Sequence, residues 1–213
     1  MTKELFDVLD CTGRKTGETI AREDAHRAGV WHGAFHCLLV YERNRTPCAL
    51  FQKRSLEKLI APGKFDVSVG GHYAAGEDAA VAGPREIREE LGLTVPFHEL
   101  VPVGRRVFVY GFSPGITEYE LQDVFLYPRT SGFKDLVLQD DEVDAVIELE
   151  VETGISLFSG AIRNATAMLV SPGYGSAVVV TADDFVPSLD HYYLKLLLLA
   201  RRYFNGERDL LVI

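Results

Sequence analysis

Three cysteines are all that 213 residues contain, and Cys11, Cys37 and Cys48 show no CxxC spacing. So sparse and odd a set argues against a disulfide framework and for a reduced, cytoplasmic setting. Long hydrophobic runs are also missing. The longest aliphatic stretch, Leu196–Ala200, is far too short to span a bilayer. The stretch from Met1 to Asp10 carries mixed charge and no apolar signal core, so no export or membrane segment is expected. Positive charge is in deficit. Twenty-two Lys and Arg face 31 Asp and Glu, a net charge of −9. That balance disfavours nucleic acid as a partner, because phosphate backbones demand clustered cations. It leaves room for a small phosphorylated substrate, since one local cation can reverse the sign of an acidic site. Repeats and low-complexity tracts are absent as well. What remains is ordinary globular composition, 47% hydrophobic and 25% charged, long enough for one domain with extensions or two small ones.

Short β-branched and aromatic runs dominate the chain. Phe35–Tyr41 is nearly continuous and apolar, and Cys48–Gln52 is placed to pair with it across the polar turn Glu42–Pro47. Val107–Phe112 and Leu121–Tyr127 form a second pair around a Ser113-Pro114-Gly115 turn, and Val143–Val151 is a further strand. Helices are fewer. One spans Asp78–Leu91, with acidic residues at its start and Gly92 at its end; Gly83 and Pro84 inside it predict a kink, or regularity only from Pro84 onward. A second spans Asp190–Phe204 with Leu194, Leu197 and Leu198 on one face, and a shorter one falls within Thr153–Asn164. Thr166–Val186, rich in Gly, Val and Pro, fits no pattern. Strands without strict helix alternation predict a mixed α/β domain of α+β character rather than a doubly wound one.

The chemistry concentrates in Gly71-His72-Tyr73-Ala74-Ala75-Gly76-Glu77 and Arg85-Glu86-Ile87-Arg88-Glu89-Glu90-Leu91-Gly92-Leu93. Glu86, Glu89 and Glu90, at i, i+3 and i+4, project from one helical face. Like charges there repel, and two remedies exist. One is solvation with Arg85 and Arg88 as neighbours. The other is a hard divalent cation, Mg²⁺ or Mn²⁺, which takes oxygen ligands. Ile87 and Leu91 lie on another face and can anchor the helix to a core. Arg85, four before Glu89, is placed to hold that carboxylate, and Gly71 and Gly76 let backbone approach a ligand closely.

This 71–93 pattern resembles an unbroken Nudix box, and weaker resemblance extends over roughly residues 4–150. The resemblance implies a Nudix fold, a mixed β-sheet sandwiched between helices. It implies a single domain over residues 1–213, with a core at about 30–155, an N-terminal extension at 1–29 and a helical C-terminal extension at about 185–213. It further implies a divalent-cation-dependent pyrophosphohydrolase that cleaves a diphosphate in a nucleoside diphosphate linked to a moiety X, or in a similar small substrate. By motif position Glu86, Glu89 and Glu90 bind metal, Glu77 is an auxiliary ligand, the Gly71 carbonyl is a further ligand and Arg85 an orienting partner. Glu89 is the first choice for the general base, with Glu142 competing. Family members are often homodimers, and the apolar helix around Leu194–Leu199 offers such a face.

Other residues resemble a narrower branch, the isopentenyl-diphosphate isomerases and their relatives. They are Phe6-Asp7-Val8-Leu9-Asp10 with Gly13, Gly17 and Arg22; Trp31-His32-Gly33-Ala34-Phe35; Gln52-Lys53-Arg54-Ser55 with Lys58 and Pro62-Gly63; and Asp66 through His72. In that branch three histidines and two glutamates hold a divalent metal. The matching residues here are His26, His32, His72, Glu118 and Glu120. The isomerase's essential cysteine falls at Gly70, which has no side-chain proton to exchange. That departure, with the complete box, favours hydrolase over isomerase. A catalytically silent Nudix-fold sensor is the third reading, disfavoured because every box glutamate is present. Arg54, Lys58 and Lys64 are candidate phosphate donors. Trp31, Phe65 and Tyr73 could stack on a base or belong to the core, and His36, His98 and His191 are read as bystanders.

Overall fold

The computed structural model describes residues 4–113, 116–130, 132–133 and 135–213. The Pro114-Gly115 part of the expected turn and the first three residues of the Met1–Asp10 stretch lie outside these. Among the described residues the strands are β1 (Leu5–Leu9), β2 (Lys15–Ala21), β3 (His32–Arg43), β4 (Thr46–Arg54), β5 (Phe65–Val67), β6 (Val69–His72), β7 (Val101–Ser113), β8 (Ile116–Arg129), β9 (Val143–Glu150), β10 (Ala165–Ser171) and β11 (Ala177–Val180). The helices are α1 (Arg22–Ala28), α2 (Ala79–Leu91), α3 (Val151–Phe158) and α4 (Tyr192–Phe204). None is long and apolar enough to cross a membrane.

Nine strands form one mixed sheet in the order β11-β10-β9-β4-β3-β8-β7, with β5 added on β4 and β6 on β3. The expected pairing of the first two apolar runs holds, with Val40 opposite Ala49 and Tyr41 opposite Cys48. The turn is tighter than expected. Asn44 and Arg45 both adopt positive φ, 52° and 66°, the geometry of a two-residue hairpin loop. β3 and β8 run parallel over ten paired positions, from His32 opposite Glu120 to Tyr41 opposite Arg129.

Alternation along β3 separates two cores. Leu38 and Val40 pack with α3 and α4 residues including Leu157, Leu196, Leu197 and Leu199. Phe35, Cys37, Leu39 and Tyr41 pack with Ile87 and Leu91 of α2. The sheet is thus sandwiched between helices, as expected. The apolar run Leu194–Leu199, expected to offer a dimer face, is instead largely consumed by this chain. Leu196, Leu197 and Leu199 are at most 4% exposed, and Leu194 and Leu198 are half-buried.

Several boundaries differ from expectation. α2 is helical from Ala79, because the Asp78 side chain accepts hydrogen bonds from the Ala80 and Val81 amides; Pro84 neither ends nor delays it. Gly92, at φ 70°, closes the helix with its amide on the Arg88 carbonyl. α3 begins at Val151 and ends at Phe158, earlier than the Thr153–Asn164 window. The unplaced segment folds as the β10–β11 hairpin, which extends the sheet beyond β9. The β1–β2 hairpin and α1 had no counterpart in the sequence reading.

Candidate active site

Alternate residues of β3 and β8 change character along the strands. Leu38 and Val40 in β3, with Val124 and Leu126 in β8, belong to the apolar core. Toward the start of the same strands the positions become Ala34 and His36, and Glu118, Glu120 and Gln122. These polar residues line a cavity of about 860 Å³. α2 contributes Arg85, Glu86, Glu89 and Glu90 to it, β6 contributes Gly70, Gly71 and His72, and the C-terminal segment contributes Val186, Pro187, Ser188 and Tyr193.

Arg85 organises the carboxylates. Its Nη1 donates to Glu86 Oε1 at 2.8 Å and to Glu89 Oε2 at 2.9 Å. Its Nε and Nη2 donate to the two oxygens of Glu77 at 3.0 and 2.7 Å, and Nη2 also reaches the His72 carbonyl at 3.1 Å. Glu86 and Glu90 are buried, whereas the Glu89 side chain is 44% exposed. Burial, reinforced by the Glu86 charge, pushes the Glu90 carboxyl up to about 8; burial raises Glu86 as well. Burial also opposes the charge of Glu77, but the Arg85 hydrogen bond, the Ala74 amide and the Arg85 charge together outweigh it and hold that carboxyl below its usual range. Glu90 Oε2 accepts from Gln52 Nε2 at 3.0 Å and from the Gly70 amide at 3.3 Å. A Cβ at Gly71 would land on the Glu86 carboxyl, so the glycine is what lets that carboxyl stand where it does.

The three histidines and two glutamates converge beside this cluster. Ligand-capable atoms of His26, His32, His72 and Glu118 all lie within 4.8 Å of one another. His72 Nε2 meets Glu120 Oε1 at 3.0 Å, and His26 Nε2 lies 3.5 Å from Glu118 Oε1. His26 Nε2, His32 Nε2 and both Glu118 oxygens are buried without a hydrogen-bond partner. Burial, helped by His72, pushes His26 down to about 3 and His32 to about 4. Burial also opposes charge on His72, but the neighbouring carboxylates of Glu118 and Glu120 hold it up at about 9. The neutral imidazoles of His26 and His32, with unpaired carboxylate oxygens in the same buried pocket, are a donor set that fits a divalent cation.

The other expected residues scatter. Arg54 and Lys58 line the cavity. Arg54 donates from Nε to the Ile60 carbonyl at 3.0 Å, and Lys58 is paired with Glu142. Lys64 turns away, its ammonium on the Asp183 carbonyl at 2.7 Å. Trp31 packs on Tyr119, Phe65 on Phe185, and the Tyr73 hydroxyl donates to Asp123 Oδ2 at 3.0 Å; none of the three lines the cavity. His98 and His191 are exposed, but His36 is buried in the cavity wall.

Residues outside the motif complete the wall. Arg106, 7% exposed, grips Asp190 through Nε at 3.0 Å and Nη2 at 2.8 Å and donates from Nη1 to Gln122 Oε1 at 2.9 Å. Gln122 Nε2 in turn donates to Glu120 Oε2 at 2.6 Å. This polar chain runs from the C-terminal segment to the histidine cluster. The period-two series Glu118-x-Glu120-x-Gln122 was a signal for it; nothing local marked Arg106 or Asp190.

A mixed sheet between helices, with an arginine-tied carboxylate helix at the mouth of a polar cavity, defines a class of phosphoanhydride-cleaving folds. Comparison with known proteins agrees. The NUDIX domain family matches residues 30–164. A Nudix hydrolase of Clostridium acetobutylicum is 31% identical over 198 residues, covering 91% of this chain and 95% of that one. Nudix hydrolase 3 of Arabidopsis thaliana is 41% identical over 154 residues, 68% of this chain but only 19% of that longer protein. An isopentenyl-diphosphate Delta-isomerase of Aliivibrio fischeri is 30% identical over 149 residues, 66% of this chain and 81% of the isomerase. The crystal structure of DR0079 from Deinococcus radiodurans shares the fold, with a TM-score of 0.56 at 20% identity, covering 93% of this chain and 98% of that one. The chain belongs to the Nudix hydrolase family.

Proposed function

We propose that this enzyme cleaves the diphosphate linkage of a nucleoside diphosphate joined to a moiety X, or of a similar small substrate, with a divalent cation, Mg²⁺ or Mn²⁺. The observation that carries this reading is the gathering of Glu86 and Glu89 on Arg85, with buried Glu90 beside them, in the wall of the cavity. Glu86, Glu89 and Glu90 would hold the cation, with the Gly71 carbonyl and Glu77 as auxiliaries. Such a cation supplies charge neutralisation for the diphosphate and makes a water acidic enough to deprotonate. Glu89, the most exposed of the three, is the proton acceptor in this reading. Glu142 is the alternative, and its ion pair with Lys58 supports a positioning role. Arg85 orients the carboxylates, and Arg54 and Lys58, both in the cavity wall, are the candidate donors to a substrate phosphate.

A second cation site at His26, His32, His72, Glu118 and Glu120 is part of the proposal, supported by the four orphaned buried atoms there. Isomerase chemistry is disfavoured by Gly70, which has no side-chain proton to exchange. Three unpaired thiols support a reducing, cytoplasmic setting.

The test is phosphate release over a panel of diphosphates with added metal, with Glu89→Gln as the control. Turnover should fall by orders of magnitude in that variant while the circular dichroism spectrum is unchanged. Near-normal turnover would remove Glu89 from the chemistry, and proton exchange into isopentenyl diphosphate without phosphate release would favour the isomerase.

A further inference from the structure

His36 sits in β3, 8% exposed, in the wall of the cavity. Its Nδ1 lies 3.0 Å from the Tyr192 hydroxyl in the first turn of α4. Tyr192 is itself fixed. Its ring carries the Arg106 guanidinium at 3.9 Å, and its amide donates to the Ser188 hydroxyl at 2.9 Å. The Tyr192 hydroxyl is buried, and His36 is its hydrogen-bond partner among the described residues. If Nδ1 carried the proton of a neutral ring, the phenolic hydrogen would have no acceptor there, and a buried hydrogen bond left unmade is unfavourable. The phenol therefore donates to Nδ1, and the imidazole proton resides on Nε2. A doubly protonated ring leads to the same result at Nε2.

No protein acceptor meets this Nε2–H among the described residues, and unlike the buried nitrogens of His26 and His32 the atom is open to the cavity that His36 lines. The nearby strand residue is Gly70. A Cβ there would stand 3.4 Å from His36 Nε2, so the glycine leaves the approach to the imidazole open. The Gly70 amide in turn points at Glu90 Oε2, 3.3 Å away, which puts the imidazole edge next to the carboxylate cluster. In that part of the cavity the acceptors open to it are solvent and the oxygens of a bound substrate. Resting on the hydrolase reading above, we propose that His36 is a substrate-binding residue whose Nε2–H donates to a phosphate oxygen of the diphosphate. Tyr192 is the positioning residue that fixes the tautomer. The C-terminal helix thus takes part in recognition without touching substrate.

Long-range ¹H–¹⁵N spectra of the histidines, with the His36 signals assigned by their loss in His36→Phe, read the tautomer directly. The protonated nitrogen should be Nε2 in the wild type, with mixed tautomers in Tyr192→Phe; a proton on Nδ1 in the wild type overturns the inference. Calorimetry with methylenediphosphonate and Mg²⁺ reads the ligand contact without turnover. His36→Phe should weaken diphosphonate binding about tenfold or more, as loss of a hydrogen bond to a charged group does. Tyr192→Phe should fall between wild type and His36→Phe, and His36→Gln, which keeps an N–H donor, should recover most of the affinity. Mg²⁺ binding without diphosphonate should be unchanged in all three. If His36→Phe does not fold, Tyr192→Phe and His36→Gln carry the same comparison. Diphosphonate binding unchanged by loss of the donor overturns the inference alone. Failure of the wild type to bind diphosphonate with metal overturns the hydrolase reading and this inference with it.

Discussion

Gly71 is the position at which a single methyl group tests the carboxylate cluster. Its Cβ would displace the Glu86 carboxyl, the far end of a side chain that can swing aside. Gly71→Ala should therefore keep the fold but weaken Mn²⁺ binding by about tenfold or more, as disturbing a ligand's support does. Titration followed by electron paramagnetic resonance checks this, with thermal unfolding as the control. His36 offers a pH test. Burial pushes its imidazole down to about 4, while an unfolded histidine titrates near the ordinary 6.5. The unfolded chain thus binds the proton first. The contribution of the neutral ring to stability is complete above the unfolded value and is lost as pH falls from 6.5 toward 4. Between those values the unfolding free energy of the wild type should drop more steeply than that of His36→Phe, by about 1 kcal/mol per pH unit. Parallel urea titrations measure the two slopes, and equal slopes would count against the assignment. At this scale the shared face of Glu86, Glu89 and Glu90 and the reach of Arg85 to Glu89 were legible from spacing, because i, i+3 and i+4 geometry is a property of the helix itself; a metal-binding role was implied only by the resemblance. His36 was not. A lone histidine in an apolar run gives no sign of what stands opposite it.

At the level of elements, α2 carries the site and its ends are held locally. Removing the cap with Asp78→Ala should cost about 1 kcal/mol, a fall of roughly 2–4 °C in Tm for a chain of this size. Gly83→Ala has the opposite sign from helix propensity. A helical Gly→Ala change ordinarily gains up to about 1 kcal/mol. Here the new Cβ would stand 2.6 Å from the Phe35 ring, so the variant should unfold at lower denaturant than the wild type. The cap at Asp78 and the stop at Gly92 are sequence signals with local causes. The tolerance of Pro84 is not. Burial of Ala82, Ile87 and Leu91 against the sheet offsets the lost hydrogen bond, and that burial exists only in the assembled fold. No local pattern marks the β10–β11 hairpin for a similar reason, since its pairing with β9 depends on where the sheet ends.

On the scale of the molecule, α4 does two jobs. Leu196, Leu197 and Leu199 close the core on one face of the sheet, and Tyr192 reaches His36 in the cavity wall. Leu196→Ala removes a fully buried side chain and should cost about 2–5 kcal/mol, measurable by equilibrium unfolding. A chain ending before α4 should fail to give a cooperative transition, since it would expose Leu38, Val40 and Phe51 together. The acidity of the molecule also acquires an address. Part of the net charge of −9 is Glu77, Glu86, Glu89 and Glu90, concentrated where a cation would bridge them to a diphosphate.

By itself the sequence determined the strand pairs, the carboxylate helix and its stop at Gly92, and the family to which that pattern points. Each of these rests on residues near one another in the chain, where helical and strand periodicity fix the geometry. The convergence of His26, His32 and His72 with Glu118 and Glu120 was suggested only by resemblance and had no local cause. The structure alone decided the rest of the cavity wall. Tyr192 and His36 are 156 residues apart, and Arg106 and Asp190 are 84 apart. Contacts at such separations follow from the parallel pairing of β3 with β8 and the docking of α4 across the sheet, which no local pattern encodes.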